Sequence, residues 1–213
     1  FCCGGAKTLE RVCREPNVSL ADVMRELKAL EGAGYIDSPD FAAMKLDDLT
    51  LYIENVHHRY TADSISFIKL GLERLVRVHS IQHPEVIVVK RIFDDMAGHL
   101  TVHMKKEELV LFPFVRKLSR FGEEALKRAV FESVTEPIQA MVSDHEQEGE
   151  KLKELERLTD NFTIPKDGCE TFSATYAALK ELKADLHLHI HLENNILFPK
   201  AITLERIHKN RLL

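Results

Sequence analysis

Apolar residues recur at spacings of three and four along most of the chain, which is the period of an amphipathic helix. Four long segments follow this pattern, at 46–80, 84–118, 135–159 and 170–200. The breaks between them are short and contain proline or glycine, the residues that most often interrupt helices. One run of β-branched residues, "VIVV", lies where the second segment begins. The pattern therefore predicts an all-α bundle whose helices are joined by short, antiparallel connections.

Two shorter helical segments, "AKTLERVCRE" and "SLADVMRELKAL", precede these four. Ser19 and Asp22 have the spacing of a capping box, and glycines follow the second segment as stop signals. The next stretch, "GYIDSPDF", is rich in turn-forming residues, which favours a linker. We therefore expect two domains: a small N-terminal helical domain at 1–40 and the bundle at 41–213.

The composition is that of a soluble globular protein, with 45% hydrophobic and 30% charged residues. No apolar run approaches the length of about 20 residues that crosses a bilayer, and the net charge of −5 arises without a block of Lys or Arg. We therefore expect neither a membrane nor a nucleic-acid partner, and either a monomer or a homodimer. Four unevenly spaced cysteines and the lack of a signal peptide favour a reducing cytoplasm. Because the chain begins with Phe1 rather than Met, we also expect an upstream segment to be missing.

A short motif occurs twice, in the second and in the fourth segment. The strings "HMKKEELVLFP" and "HIHLENNILFP" each place a glutamate four residues after a histidine, and Leu-Phe-Pro four residues after that glutamate. Helical positions i and i+4 lie about 40° apart, so His103 and Glu107 project the same way, as do His189 and Glu193. His187 and His191, which flank His189, do not keep this register.

A single histidine precedes each motif at a similar interval. His58 lies 45 residues before His103, and His145 lies 44 residues before His189. In an antiparallel hairpin, such intervals can bring both positions to the same depth, so four imidazoles and two carboxylates would converge in the bundle core. His57 is an alternative to His58, because the stripe of Ile53, Val56, His57 and Tyr60 could also face inward.

This set of side chains suits a pair of iron ions. Imidazole binds transition metals, and carboxylates can bridge two hard cations, so we interpret Glu107 and Glu193 as bridges of a di-iron centre. Six ligands leave two irons with open positions, where water, an oxo bridge, dioxygen or nitric oxide could bind. The other histidines are expected on the surface or around the site, and His99, one turn before His103, is the one expected to touch it.

The stretches "HHRY", "HMKKEELVLFP", "SDHEQEGEKL" and "HLENNILFP" resemble the hemerythrin-like di-iron domain. With "FCCGG" at the other end, the whole chain resembles the Ric family of di-iron proteins for the repair of iron–sulfur clusters. The resemblance implies an up-down-up-down four-helix bundle after a small helical domain whose first part is missing here, and a role in activity for Cys2 and Cys3. It also implies the following metal-site residues: His58, His103, His145 and His189 as iron ligands, with Glu107 and Glu193 as bridges.

Three hypotheses for function follow. The first is a stress-response protein, not a conventional enzyme, that donates iron to proteins whose iron–sulfur clusters have been damaged by nitric oxide or peroxide. The second is redox catalysis on nitric oxide or nitrite at the di-iron centre, and the third is a module that senses dioxygen or nitric oxide. Reversible oxygen carriage fits less well, because oxygen-carrying hemerythrins use five histidines, one glutamate and one aspartate.

Overall fold

The structure is a computed structural model that describes residues 8–14, 18–32, 39–127 and 131–211. Every regular element in these ranges is helical, which confirms the predicted all-α fold. The α-helices are α1 (Leu9–Arg14), α2 (Leu20–Gly32), α3 (Leu46–Tyr52), α4 (Arg59–His79), α5 (Glu85–Lys106), α6 (Phe112–Phe121), α7 (Glu123–Leu126), α8 (Thr135–Leu158), α9 (Glu170–Leu192) and α10 (Phe198–Lys209). Among these helices, none has the length and apolar character needed to cross a membrane.

Three π-helical turns join some of these helices end to end: π1 (Ile53–His58), π2 (Glu107–Leu111) and π3 (Glu193–Leu197). The first long helix is α3–π1–α4, the second is α5–π2–α6, the third is α8 and the fourth is α9–π3–α10. Helix α4 packs against α5 and α9, and α5 packs against α8, in the predicted up-down-up-down bundle. The fourth long helix extends past residue 200 because Ala201 and Glu205 continue its buried face.

The two later π turns account for the repeated Leu-Phe-Pro. The N–H of Phe112 donates to the carbonyl of Glu107, five residues earlier, and Phe198 donates to Glu193 in the same way. Each phenylalanine is followed by a proline, which has no N–H to donate to the carbonyl four residues before it. The widened turn therefore lies where one α-helical hydrogen bond could not form anyway. In both copies it begins at the glutamate of the motif.

The N-terminal unit has the predicted helices. The side-chain oxygen of Ser19 accepts a hydrogen bond from the N–H of Asp22 at 3.4 Å, which confirms the start of the second one. The division at residues 40 and 41 stays a prediction. Cys2 and Cys3 lie outside the described residues.

The core of the bundle has two apolar clusters. One cluster is formed largely by α4, α5 and α9, with Ile68, Phe93 and Leu182 among its fully buried residues. The other is formed largely by α3, α6 and α10, with Leu49 and Phe112 in its centre. Ionisable side chains are buried at the level of the three π turns, where the helices pass from one cluster to the other.

Helices α4 and α9 come very close at one point. A β-carbon added to Gly71 would lie 2.2 Å from the side-chain oxygen of Thr175, which is far inside van der Waals contact. Glycine is therefore required there for the two backbones to approach. The contact lies where α4 and α9 pack side by side.

Candidate metal centre

Six ionisable side chains are buried together where the π turns meet α8. All six residues are between 0% and 3% exposed: His58, His103, Glu107, His145, His189 and Glu193. His58 is the last residue of π1, while Glu107 and Glu193 are the first residues of π2 and π3. A π turn shifts the helical register by part of a turn, and such turns are frequent at functional sites.

Four ligating atoms converge twice in this layer. One group contains His58 and His189, the other contains His103 and His145, and the ligating atoms of each group lie within 4.8 Å of one another. Glu107 and Glu193 belong to both groups. The structure thus brings together all six residues singled out in the sequence.

Each glutamate lies close to two histidines, one from each group. One carboxylate oxygen of Glu107 lies 3.3 Å from Nε2 of His58 and 3.4 Å from Nε2 of His103. The carboxylate of Glu193 lies 2.9 Å from Nε2 of His189 and 3.1 Å from Nε2 of His145. The carboxylates therefore stand between the two groups, which is the placement that a bridging ligand requires.

Several polar atoms at this place have no hydrogen-bond partner although they are buried. They are Oε1 and Oε2 of Glu107, Oε2 of Glu193 and Nε2 of His58. Oε2 of Glu107 and Oε2 of Glu193 lie close to imidazole nitrogens, at 3.3 Å and 3.1 Å, without forming a hydrogen bond to them. A buried carboxylate in this state is costly unless a cation neutralises it. The unsatisfied nitrogen and oxygen atoms therefore fit a bound metal.

The two buried carboxylates also favour positive charge on the groups around them. Burial alone would lower the pKa of His58, but the carboxylates of Glu107 and Glu193 outweigh it and raise the pKa to about 10. Burial would raise the pKa of Glu193, but the charge of His189 and contacts with His145 hold it well below its usual range. Either protons on the imidazoles or metal cations can supply this compensation.

The structure distinguishes His58 from His57 as the candidate metal ligand. His58 belongs to the first converging group, whereas Nδ1 of His57 donates to a carboxylate oxygen of Asp185 at 2.9 Å. The ring of His57 stacks on that of His189 at a centroid distance of 5.6 Å. His57 thus lies beside the site and belongs to neither group.

Three polar residues around the site were not singled out in the sequence. Glu108 accepts a hydrogen bond from Nδ1 of His58 at 3.0 Å, and Asn194 accepts one from Nδ1 of His145 at 3.0 Å. Asp144 lies 3.4 Å from Nδ1 of His103. Each is the sequence neighbour of one of the six site residues, and that adjacency was the signal that could have found them.

A cleft of about 350 Å³ leads from the surface to one histidine of the centre. It is lined by His99, Val102, His103, Lys106, Asp144, Gln147 and Glu148. His99 lines this cleft together with His103, but its contacts are with Asp95, Glu148 and Lys151, so the expectation that it touches the site is not confirmed. The cleft reaches the side of His103 that faces Asp144.

Comparisons with known proteins agree with this geometry. A family model described as "Hemerythrin HHE cation binding domain" matches residues 50–201. The chain is 33% identical over 206 residues to the "Iron-sulfur cluster repair protein YtfE" of Musicola paradisiaca (strain Ech703), covering 95% of this chain and 86% of that protein. Proteins of the same name from Yersinia pseudotuberculosis (serotype IB) and Yersinia pestis (Pestoides F) are 32% identical, with the same coverage of each chain.

Proposed function

This chain belongs to the hemerythrin HHE cation-binding family, and we propose that its bundle holds two iron ions bridged by Glu107 and Glu193. His58 and His189 would hold one iron, and His103 and His145 would hold the other. The observation that carries this proposal is that both carboxylates belong to both converging groups. A pair of closed, independent sites would not share its ligands in this way.

The donor atoms favour iron. The layer offers imidazole nitrogens and carboxylate oxygens with no thiolate, and two carboxylates shared between two positions suit hard or borderline cations. When bound, such a pair of irons supplies one-electron redox chemistry and open positions for small ligands.

The chain's own residues hold and shield this centre. The glutamates place negative charge between the two positions, while the four imidazoles approach from four different helical stretches. Phe112 and Phe198 stack on His58 and His145 and help to exclude water from the layer. The residues therefore keep the ligating atoms aligned and dry, except where the cleft reaches His103.

We further propose that the protein repairs iron–sulfur clusters damaged by oxidative or nitrosative stress, with iron itself as the cargo. Its relatives are named for this activity. Six protein ligands leave two irons incompletely coordinated, and the cleft beside His103 offers a way out for a metal ion. Its partners would be proteins with damaged clusters, and its place of action the cytoplasm.

The test is a repair assay with purified components. Iron-loaded protein is mixed with a dehydratase whose cluster has been nitrosylated or oxidised, and the recovered dehydratase activity is measured. We expect more recovery than the same amount of free ferrous iron gives, and none from the Glu193→Leu variant. Recovery equal to that from free iron would overturn the proposal.

The N-terminal unit at 1–40, with Cys2 and Cys3, is proposed to assist by binding iron or transferring electrons, because two adjacent thiols in a glycine-rich stretch can do either. The Cys2→Ser/Cys3→Ser double variant should then keep two irons per chain but lose repair activity. Full activity in that variant would restrict the function to the bundle at 41–213.

A second function, redox conversion of nitric oxide or nitrite, is favoured by one feature. A surface cleft is lined by His103, which is a ligand of one of the proposed metal positions. With an added electron donor that reduces the irons again after each round, the protein should then reduce nitric oxide through several turnovers without any acceptor protein, with product analysis as the measurement. A single binding event without turnover would exclude catalysis and leave ligand sensing.

A further inference from the structure

Each half of the site consists of a single histidine and the motif that follows it in the chain. The first half is His58 with His103 and Glu107, and the second half is His145 with His189 and Glu193. The two halves share a detail beyond the repeated motif. In the first half, Glu108 follows the glutamate Glu107 and accepts the Nδ1 hydrogen bond of His58 at 3.0 Å. In the second half, Asn194 follows Glu193 and accepts the Nδ1 hydrogen bond of His145 at 3.0 Å. The residue after each glutamate therefore holds the single histidine of its own half.

The phenylalanine of Leu-Phe-Pro completes the same arrangement. The ring of Phe112 stacks on His58 at 5.7 Å with 20° between the ring planes, and Phe198 stacks on His145 at 6.2 Å with 5° between them. One hydrogen bond at Nδ1 and one stacked ring fix both the tautomer and the tilt of each imidazole. Its Nε2 is thereby directed at the centre.

The equivalent position differs in charge between the halves. Glu108 is a carboxylate, which also forms a short ion pair with Lys105, whereas Asn194 is a neutral amide. A carboxylate that accepts an imidazole N–H makes the other ring nitrogen a stronger metal ligand than an amide does. Among the motif histidines, Nδ1 of His103 donates to a carboxylate oxygen of Asp144 at the longer distance of 3.4 Å, and Nδ1 of His189 is buried without a partner.

We propose that Glu108 and Asn194 are positioning residues, and that their difference in charge makes His58 a stronger metal ligand than His145. The inference rests on the proposed two-metal centre and deepens it. The carboxylate that supports an imidazole thus lies beside the single histidine, His58, at one metal position and beside the motif histidine, His103, at the other.

The experiment changes the charge at each position without changing the shape. Glu108→Gln keeps an acceptor for His58 but removes the charge, and Asn194→Asp adds a charge beside His145. Glu150→Gln is the control for the first variant, because Glu150 pairs with Lys153 at 2.7 Å and lies outside both converging groups. Asn195→Asp is the control for the second, because Asn195 contacts His191, which is in neither group.

Metal-free protein is titrated with cobalt(II), whose absorption bands report its ligands. We expect the parent to bind two cobalt ions, and Glu108→Gln to bind one of them about 10- to 100-fold more weakly. Asn194→Asp should bind one cobalt ion more tightly than the parent does. Both variants should shift the cobalt bands, while the two controls match the parent in affinity and spectrum.

The titration distinguishes failure of this inference from failure of the proposed two-metal centre. The inference is overturned if Glu108→Gln binds cobalt as Glu150→Gln does, or if Asn195→Asp tightens binding as much as Asn194→Asp. Those results leave two bound ions and so leave the two-metal centre standing. A parent that binds fewer than two cobalt ions would overturn the centre itself.

Discussion

Glu107 and Glu193 are fully buried, and three of their four carboxylate oxygens have no hydrogen-bond partner. A protein gains no stability from carboxylates left in this state, so their presence is explained by what they bind. The same holds for Nε2 of His58. At the scale of single residues, burying these polar atoms is unfavourable in free energy, and binding a pair of cations removes this penalty for all of them.

Replacing either carboxylate should therefore remove at least one metal ion from the centre. Glu107→Leu and Glu193→Leu should each lower bound iron from two per chain to one or none, because two cations without a bridge repel each other. Iron content of the purified variants is the measurement. Two irons per chain in both variants would refute the bridging role.

The adjacent histidines provide a matched pair. His58→Phe should abolish binding at one metal position, whereas His57→Phe should keep two metals per chain, since His57 bonds Asp185 and lies outside the converging groups. Metal content and the absorption spectrum of both variants decide the question. Loss of metal in His57→Phe with retention in His58→Phe would reverse the assignment.

The sequence contained the six residues but not the contacts around them. His58, His145 and the two motifs could be found because their intervals repeat. Glu108 and Asn194 share a position but not a residue type, so they did not stand out as a repeat. His57 and His58 could not be separated by periodicity, because π1 shifts the helical register at that place.

At the scale of secondary-structure elements, two features position these residues: the π turns and the close approach of α4 and α9. Hydrophobic spacing predicted the four long helices well, since an amphipathic pattern tolerates a shift of part of a turn. It could not predict the π turns for the same reason. The prolines at 113 and 199 were the visible signal of π2 and π3, and π1 has no such proline.

The approach of the two helices can be tested at Gly71. Gly71→Ala should destabilise the protein by about 1–3 kcal/mol, because its β-carbon would overlap Thr175 and push α9 away. Gly98→Ala, where a β-carbon meets nothing within 4 Å, should instead stabilise its helix by about 0.5–1 kcal/mol. Denaturant unfolding of both variants measures the difference.

A second substitution tests whether overlap with Thr175 is the reason for the stability lost in Gly71→Ala. Thr175→Ala should recover part of the stability lost in Gly71→Ala, because it removes the atoms that overlap. If the double variant is less stable than the sum of the single changes predicts, close packing at Gly71 is not the reason for its glycine.

At the scale of the whole molecule, the polar layer lies among the side chains that join the two apolar clusters, so metal binding and folding are coupled. A ligand present at about 100 times its dissociation constant adds about 2.7 kcal/mol to the free energy of unfolding. The iron-loaded protein should therefore unfold at a higher temperature than the metal-free protein. Calorimetry should show that gain in the parent and not in Glu107→Leu, and an equal gain in both would place the stabilising iron elsewhere.

The central claim is that two irons share Glu107 and Glu193, and anomalous diffraction at the iron absorption edge tests it most directly. Crystals of the iron-loaded protein should show two anomalous peaks in the bundle, one beside His58 and His189 and the other beside His103 and His145, with both glutamates between them. A single peak, or peaks away from these six residues, would contradict the account.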